Sequence, residues 1–203
     1  MSKMDIVWAG DPTAPVPEYI TKEQYTEMYN YVLTHGRRRD MYALMIHTLW
    51  YTAARISDVL SLTPSNVDVQ NRTISITIHK SARNNGNGKR GKPRVLTLPL
   101  SADLTLEIMQ YVGKHNIKPD ERLFPMTRQN AWAEIRSVGK AIGIDVHPHM
   151  FRHGAAMQLL KSGRQLYEIQ AWLAHSSPSV TFSTYARITP EMLRETARGA
   201  GLE

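Results

Sequence analysis

A histidine-rich stretch near the C-terminus carries most of the side chains that could do chemistry. Residues 147–153 hold three histidines and Arg152, and His175 and Tyr185 follow them. Arg152 lies three residues after His149, so a helix would place both side chains on one face. Arginine binds phosphate through charge-assisted hydrogen bonds, and imidazole can donate to phosphate oxygens or move protons near neutral pH. A tyrosine can attack phosphorus if a base and local positive charge offset its pKa of about 10. The stretch is suited to phosphoryl transfer by positioning and electrostatics.

A second arginine could complete this phosphate site. Arg55 lies at the predicted junction of two helices with apolar residues on both sides, and a guanidinium in such a place needs an anionic partner. One candidate is a phosphate that is also held by Arg152. The other is Asp58, three residues further on, in a buried ion pair. The spacing alone leaves both interpretations open.

A hairpin tip between two predicted strands holds the densest positive charge in the chain. Residues 80–94 include six cationic side chains and no acidic one. Glycines and asparagines at the tip favour a loop that could follow a phosphate backbone, and one of its lysines could protonate a leaving oxygen. The cationic residues are Lys80, Arg83, Lys89, Arg90, Lys92 and Arg94.

Composition narrows the class of partner and of chemistry. The formal net charge of +7 favours a polyanionic partner, nucleic acid first, and the chain contains no cysteine. No run of about 18 apolar residues and no signal peptide is present, so we expect a cytoplasmic protein with no membrane partner. Walker, HExxH and clustered-carboxylate motifs are absent, which favours chemistry without a metal or cofactor. Zinc binding by the histidines is the less favoured alternative.

The elements that must position these residues are mainly α-helical, with a small antiparallel three-stranded sheet. Residues 1–18 contain three prolines within six residues and are predicted to form an extended arm, followed by one domain over residues 19–203. Thr21 and Gln24 fit a capping box at the start of the first helix. Strands are predicted at 67–69, 73–78 and 95–99. Further helices are expected at about 41–54, from 101 through Leu106, Met109 and Val112, from 127 to 143, at 150–160, at 166–174, and after Pro190.

These motifs together resemble the tyrosine site-specific recombinases, the phage integrase family. The resemblance covers about residues 20–200, the whole catalytic domain of that family. His149-x-x-Arg152-His153, then Leu173-x-His175, then Tyr185 matches the second half of the family pattern. Residues 54–58 match its first arginine motif.

The resemblance implies a role for each residue. Arg55 and Arg152 would bind the scissile phosphate, His149 would assist deprotonation of the nucleophile, and His175 would bind a non-bridging oxygen. Tyr185 would attack to form a 3′-phosphotyrosyl link, which conserves the bond energy and makes ATP unnecessary. Lys80 would be the general acid, with Lys89 and Lys92 as alternatives. Asp58 and His153 would support these groups.

Four departures from the family pattern stand out. The advance from His175 to Tyr185 is ten residues where nine is usual, Ala174 replaces a glycine, and Asp58 replaces a common glutamate. The core-binding domain of the family is missing, which is compatible with a catalytic domain alone or with a short enzyme similar to the fimbrial-switch invertases. If Tyr185 is not the nucleophile, Tyr167 is the next candidate.

The predicted function is site-specific DNA recombination, with integration, excision, inversion or resolution as possible outcomes. The expected partners are double-stranded DNA with a specific recombination site, other copies of the chain in a tetramer on DNA, and accessory DNA-bending proteins. The helix at about 190–199 would dock on a neighbouring protomer. One alternative is a non-catalytic helix-turn-helix DNA-binding protein using residues 159–172. Another is a type IB topoisomerase-like or telomere-resolving enzyme.

Overall fold

The fold combines helices with one small sheet, as the sequence predicts. The computed structural model describes residues 18–35, 38–78, 94–174 and 198. Within these residues three strands form an antiparallel sheet in the order β1-β2-β3. The elements in chain order are α1 (Lys22–His35), α2 (Arg39–Thr52), α3 (Ile56–Val59), a 3-10 turn (Pro64–Asn66), β1 (Val67–Asp68), β2 (Thr73–Ile78), β3 (Arg94–Pro99), α4 (Ala102–His115), α5 (Arg128–Ala141), α6 (Pro148–Lys161) and α7 (Leu166–Trp172).

The first helix begins with the predicted capping box. The Gln24 side chain accepts a hydrogen bond from the Thr21 amide at 2.9 Å, and the Thr21 hydroxyl oxygen accepts one from the Gln24 amide at 3.3 Å. Met28 and Val32 are buried on the inward face of α1. These contacts confirm both the start of the helix and the side that it buries.

Helix α2 forms the centre of the core. Its apolar side chains are buried around most of its circumference, and α1, α4 and α6 pack against it. Such a helix belongs inside a protein. In the part of the chain that the structure describes, no helix is long and apolar enough to cross a membrane.

Strands β2 and β3 remain paired as far as their outer ends, at Ile78 and Arg94. Ile74, Ile76 and Ile78 are buried on one face of β2, while Ile78 pairs with the exposed Arg94 at the end where the two strands continue into the hairpin. Residues 79–93 of the hairpin lie outside the described residues.

Helix α4 forms where it is predicted. Leu106 and Met109, the apolar residues named in that prediction, are 54% and 48% exposed. The inward stripe consists of Leu104, Ile108 and Tyr111, whose i, i+4, i+7 spacing follows one face of a helix. The predicted cap is correct, because the Ser101 hydroxyl oxygen accepts a hydrogen bond from the Leu104 amide at 3.2 Å.

Candidate active site

The start of α6 is held firmly against the core. Pro148 occupies the first turn, where its missing N–H costs nothing. The amide of Ile20 donates to the Met150 carbonyl at 3.4 Å. Further along α6, a Cβ on Gly154 would clash with the Ile20 carbonyl oxygen and lie 2.8 Å from Trp50 Cζ3, so only glycine permits this approach. The helix that carries His149, Arg152 and His153 therefore has a fixed position.

Arg152 is buried and joins the ends of two other helices. Its side chain points inward and the residue is only 3% exposed. Nη1 donates to the Ala53 carbonyl at 2.7 Å, and Nη2 donates to the Leu173 carbonyl at 2.6 Å. Ala53 caps α2 and Leu173 caps α7, and helix ends leave carbonyls without intrahelical partners. Arg152 thus brings the C-terminal ends of α2 and α7 to one place.

Both of these helix ends turn through a left-handed alanine. Ala53 has φ of 52° and Ala174 has φ of 49°, a conformation that is unfavourable for residues with a Cβ. The first turn leads to Arg55, and the second is followed in sequence by His175. Ala174 is also the position where the family resemblance leads us to expect glycine, and its positive φ supplies the physical reason for that preference.

Arg55 lies at the surface rather than in a buried ion pair. It precedes α3 as its N-cap, its side chain is 46% exposed, and its Nη1 lies 3.9 Å from Oδ2 of Asp58. The Asp58 side chain is only 2% exposed. The structure therefore contains the ion pair of the second interpretation and the buried Asp58, but Arg55 itself is not buried. A buried carboxylate beside an exposed guanidinium can orient it toward an outside anion.

Two histidines on α6 have lowered pKa values. His149 lies at the surface, with its ring 4.5 Å from that of the half-buried His153 in an edge-on arrangement. Partial desolvation, then the positive charges of Arg152, His147 and Arg55, lowers the pKa of His149. Burial lowers the pKa of His153 to about 4.

The structure brings together only part of the predicted site. Arg55, Asp58, His149, Arg152 and His153 gather around the start of α6 and the α2–α3 turn. Their catalytic and supporting roles stay predictions. The remaining predicted site residues lie outside the described residues, namely Lys80, Arg83, Lys89, Arg90, Lys92, His175 and Tyr185.

Two described residues bear on the alternatives. Arg94 is exposed at the first position of β3, as a DNA contact requires. Tyr167, the alternative nucleophile, is 65% exposed on α7. No group of three His, Asp or Glu side chains within the described ranges is placed to hold a metal ion, and the expectation of metal-free chemistry stays a prediction.

Sequence reasoning missed the main-chain partners of Arg152. The carbonyls of Ala53 and Leu173 are far from Arg152 along the chain, and no local pattern links them to it. Only a general rule could have indicated these partners. The last carbonyls of a helix have no intrahelical partners, and a buried arginine can donate to several acceptors.

The chain belongs to the phage integrase family, whose sequence model matches residues 18–192. Among its relatives, the tyrosine recombinase XerD of Corynebacterium glutamicum is 30% identical over 168 residues, covering 77% of this chain. The chain spans 51% of the length of that relative. The family assignment confirms the resemblance in the sequence and does not favour a separate helix-turn-helix protein.

Solved structures share the fold. The Tn1549 transposon integrase in complex with transposon right end DNA matches with a TM-score of 0.73 and 22% identity. The match covers 94% of this chain and 68% of its own. The catalytic domain of bacteriophage HP1 integrase matches with a TM-score of 0.66 and 20% identity, over 89% of this chain and 94% of its own. These matches confirm the predicted fold of a tyrosine recombinase catalytic domain.

Proposed function

We propose that this chain cleaves and rejoins DNA at a specific site through a covalent tyrosine intermediate. The observation that carries the proposal is the bond from Arg152 to the Ala53 carbonyl, which brings the α6 motif beside the turn that presents Arg55. The two arginines come from distant parts of the sequence, and a clamp on a single phosphate would use both of them.

The arrangement suggests how the phosphate would be stabilised. Bonds to two carbonyls fix the plane of the Arg152 guanidinium before DNA arrives, and fixed charge stabilises a transition state without reorganisation. Arg55 is more exposed and would hold the phosphate from the solvent side. His175 would bind a non-bridging oxygen of the same phosphate.

The lowered pKa of His149 suggests how protons would move in the reaction. His149 has a lowered pKa and is neutral at pH 7, so it can accept the proton that Tyr185 loses as its oxygen attacks phosphorus. The bond from phosphorus to the 5′ oxygen breaks, and Lys80 would give that oxygen a proton. A phosphodiester is exchanged for a phosphotyrosyl ester, so attack by another 5′ hydroxyl reverses the reaction without ATP.

The partners of the proposed reaction follow from the same proposal. The substrate would be double-stranded DNA with a specific recombination site, and the event would be integration, excision, inversion or resolution. We further propose that residues 19–203 form the catalytic domain, that the helix at about 190–199 links subunits into a tetramer on DNA, and that accessory DNA-bending proteins assist. The reaction would take place on DNA in the cytoplasm, at the nucleoid.

A nicked duplex tests the proposed chemistry. Duplexes tiled across the DNA that flanks the gene, each with a nick next to the cleavage position, release a short strand and trap a covalent complex. The wild-type chain should form an adduct that survives denaturation, and Tyr185→Phe should form none. Tyr167→Phe is the matched control and should retain the adduct. An adduct that persists in Tyr185→Phe and disappears in Tyr167→Phe would reassign the nucleophile, and no adduct on any duplex would refute the proposal.

A further inference from the structure

A tryptophan of α7 makes a second connection between the same two helix ends. The Trp172 indole N–H donates to the Tyr51 carbonyl at 3.2 Å, and the rings of the two residues lie 6.1 Å apart. Trp172 is half-buried and packs at the boundary of both apolar clusters of the protein. It is the last residue of α7, directly before the Leu173 carbonyl that Arg152 binds.

The carbonyls at the end of α2 have no intrahelical partners and depend on outside donors. Those of Tyr51 and Ala53 flank Thr52, the last residue of the helix. Trp172 binds the first from α7, and Arg152 binds the second from α6. An acceptor left unpaired in this partly buried place would cost free energy, so each donor helps to fix the turn.

Arg55 follows this turn directly. Within the turn, the Ala54 amide donates to Thr52 Oγ1 at 3.2 Å, and the amide of Asp58 donates to the Arg55 carbonyl at 2.9 Å. The direction of the Arg55 side chain therefore depends on how the end of α2 is held. A displacement of about 1 Å in a phosphate-binding group is enough to slow catalysis strongly.

We propose that Trp172 is a positioning residue for the reaction. Its indole N–H, acting beside Arg152, locks the end of α7 to the end of α2 and holds Arg55 where it can reach the DNA phosphate. The expected effect on DNA cleavage rests on the proposed function. The expected effect of Trp172 on the turn at the end of α2 does not, because it concerns the DNA-free protein.

The experiment removes the N–H and keeps an aromatic ring. Trp172→Phe is compared with Trp132→Phe, which makes the same change on α5, where the ring of Trp132 is 39% exposed and lies under Arg136. Hydrogen exchange of the peptide covering residues 52–60 is measured in the DNA-free protein. We expect Trp172→Phe to speed exchange of these amides by about tenfold, as loss of one hydrogen bond implies, and Trp132→Phe to leave them unchanged. Equal exchange in both variants would overturn the inference, whether or not the chain cleaves DNA.

The catalytic half uses single-turnover cleavage of the nicked duplex. Trp172→Phe should slow cleavage by about tenfold, with DNA affinity changed by less than about twofold. In an Arg55→Lys background the same change should cost less than about twofold, because the positioned side chain is already altered. An undiminished loss in that background would mean that Trp172 does not act through Arg55. If Trp172→Phe does not fold, a benzothienyl isostere that lacks only the N–H replaces it, and the same outcomes decide.

Discussion

At the scale of single residues, Arg152 has a structural role in the fold and a proposed catalytic one. Its nitrogens lie 2.7 Å and 2.6 Å from the carbonyls of Ala53 and Leu173, and its charge lowers the pKa of the neighbouring His149. Removing it would therefore change the phosphate site and the folded state together. The Arg55 side chain is 46% exposed, so its removal should affect the folded state much less.

Arg152→Ala should consequently lose both activity and stability. We expect cleavage to fall by about 10²–10³, as for loss of one preorganised donor, and DNA binding to fall much less. The two unpaired carbonyls and the cavity should also lower the free energy of unfolding by roughly 2–4 kcal/mol. Urea unfolding and cleavage of the nicked duplex measure the two effects. Arg55→Ala is the comparison, and equal stability of the two variants would show that the bonds to Ala53 and Leu173 contribute little.

His153 should make the stability of the protein depend on pH. Its pKa is about 4 in the folded protein, against an ordinary value of 6.5, so the unfolded chain binds the proton more readily between these values. The contribution of neutral His153 is complete above about pH 6.5 and is lost as the pH falls toward 4. After allowance for its partial exposure, we expect an effect of about 1–3 kcal/mol. Urea unfolding at several pH values should show a smaller loss for His153→Gln than for the wild type, and parallel curves would contradict the assignment.

At the scale of the secondary-structure elements, the site is built where helices end. A left-handed alanine follows the end of α2 and another follows the end of α7, and α6 supplies the arginine that binds both ends. Local strain at these turns is tolerated because surrounding contacts fix the backbone. The first of these turns leads directly to Arg55.

Ala174→Gly should stabilise the protein. Glycine adopts a positive φ without the steric cost of a Cβ, so relief of the strain at φ of 49° should add about 1 kcal/mol. Thermal unfolding should shift upward by about 2–4 °C for a domain of this size. Ala133→Gly, at an exposed position within α5, is the opposite control and should cost about 1 kcal/mol. A loss of stability in both variants would show that Ala174 is not strained.

At the scale of the whole molecule, periodicity and capping residues predicted most elements, whereas the contacts between them could not be predicted. Thr21 with Gln24 and the alternating strand around Ile76 are local signals, and both are confirmed. Apolar residues alone do not reveal which face of α4 is buried, because Leu106 and Met109 are exposed while Leu104 and Ile108 are buried. The site depends on contacts such as Arg152 with Ala53, which join positions that no local pattern connects. The sequence motifs identified the candidate residues. The packing of α6 against α2 explains why the α6 motif lies beside the turn that precedes Arg55.

The distribution of charge over the whole molecule should control DNA affinity. The basic residues of the hairpin tip have no acidic residue among them, so we expect them to contact phosphates. Neutralising Arg83, Lys89 and Arg90 together should weaken binding and reduce the slope of log affinity against log salt by about 0.9 for each lost phosphate contact. Binding titrations between low and moderate salt measure this slope. Binding that is insensitive to salt in the wild type would contradict the assigned role of the hairpin.

The most direct test of the central claim is the chemical identity of the covalent link to DNA. Trypsin should release residues 165–187 as one peptide that contains both Tyr167 and Tyr185, so the peptide must be fragmented to locate the attached nucleotide. With the adduct formed in the presence of a metal chelator, mass spectrometry should find a 3′-phosphate ester on Tyr185, and the released strand should carry a 5′ hydroxyl. A link to a different residue, a 5′-phosphate link, or failure to form any adduct with the chelator present would contradict the account.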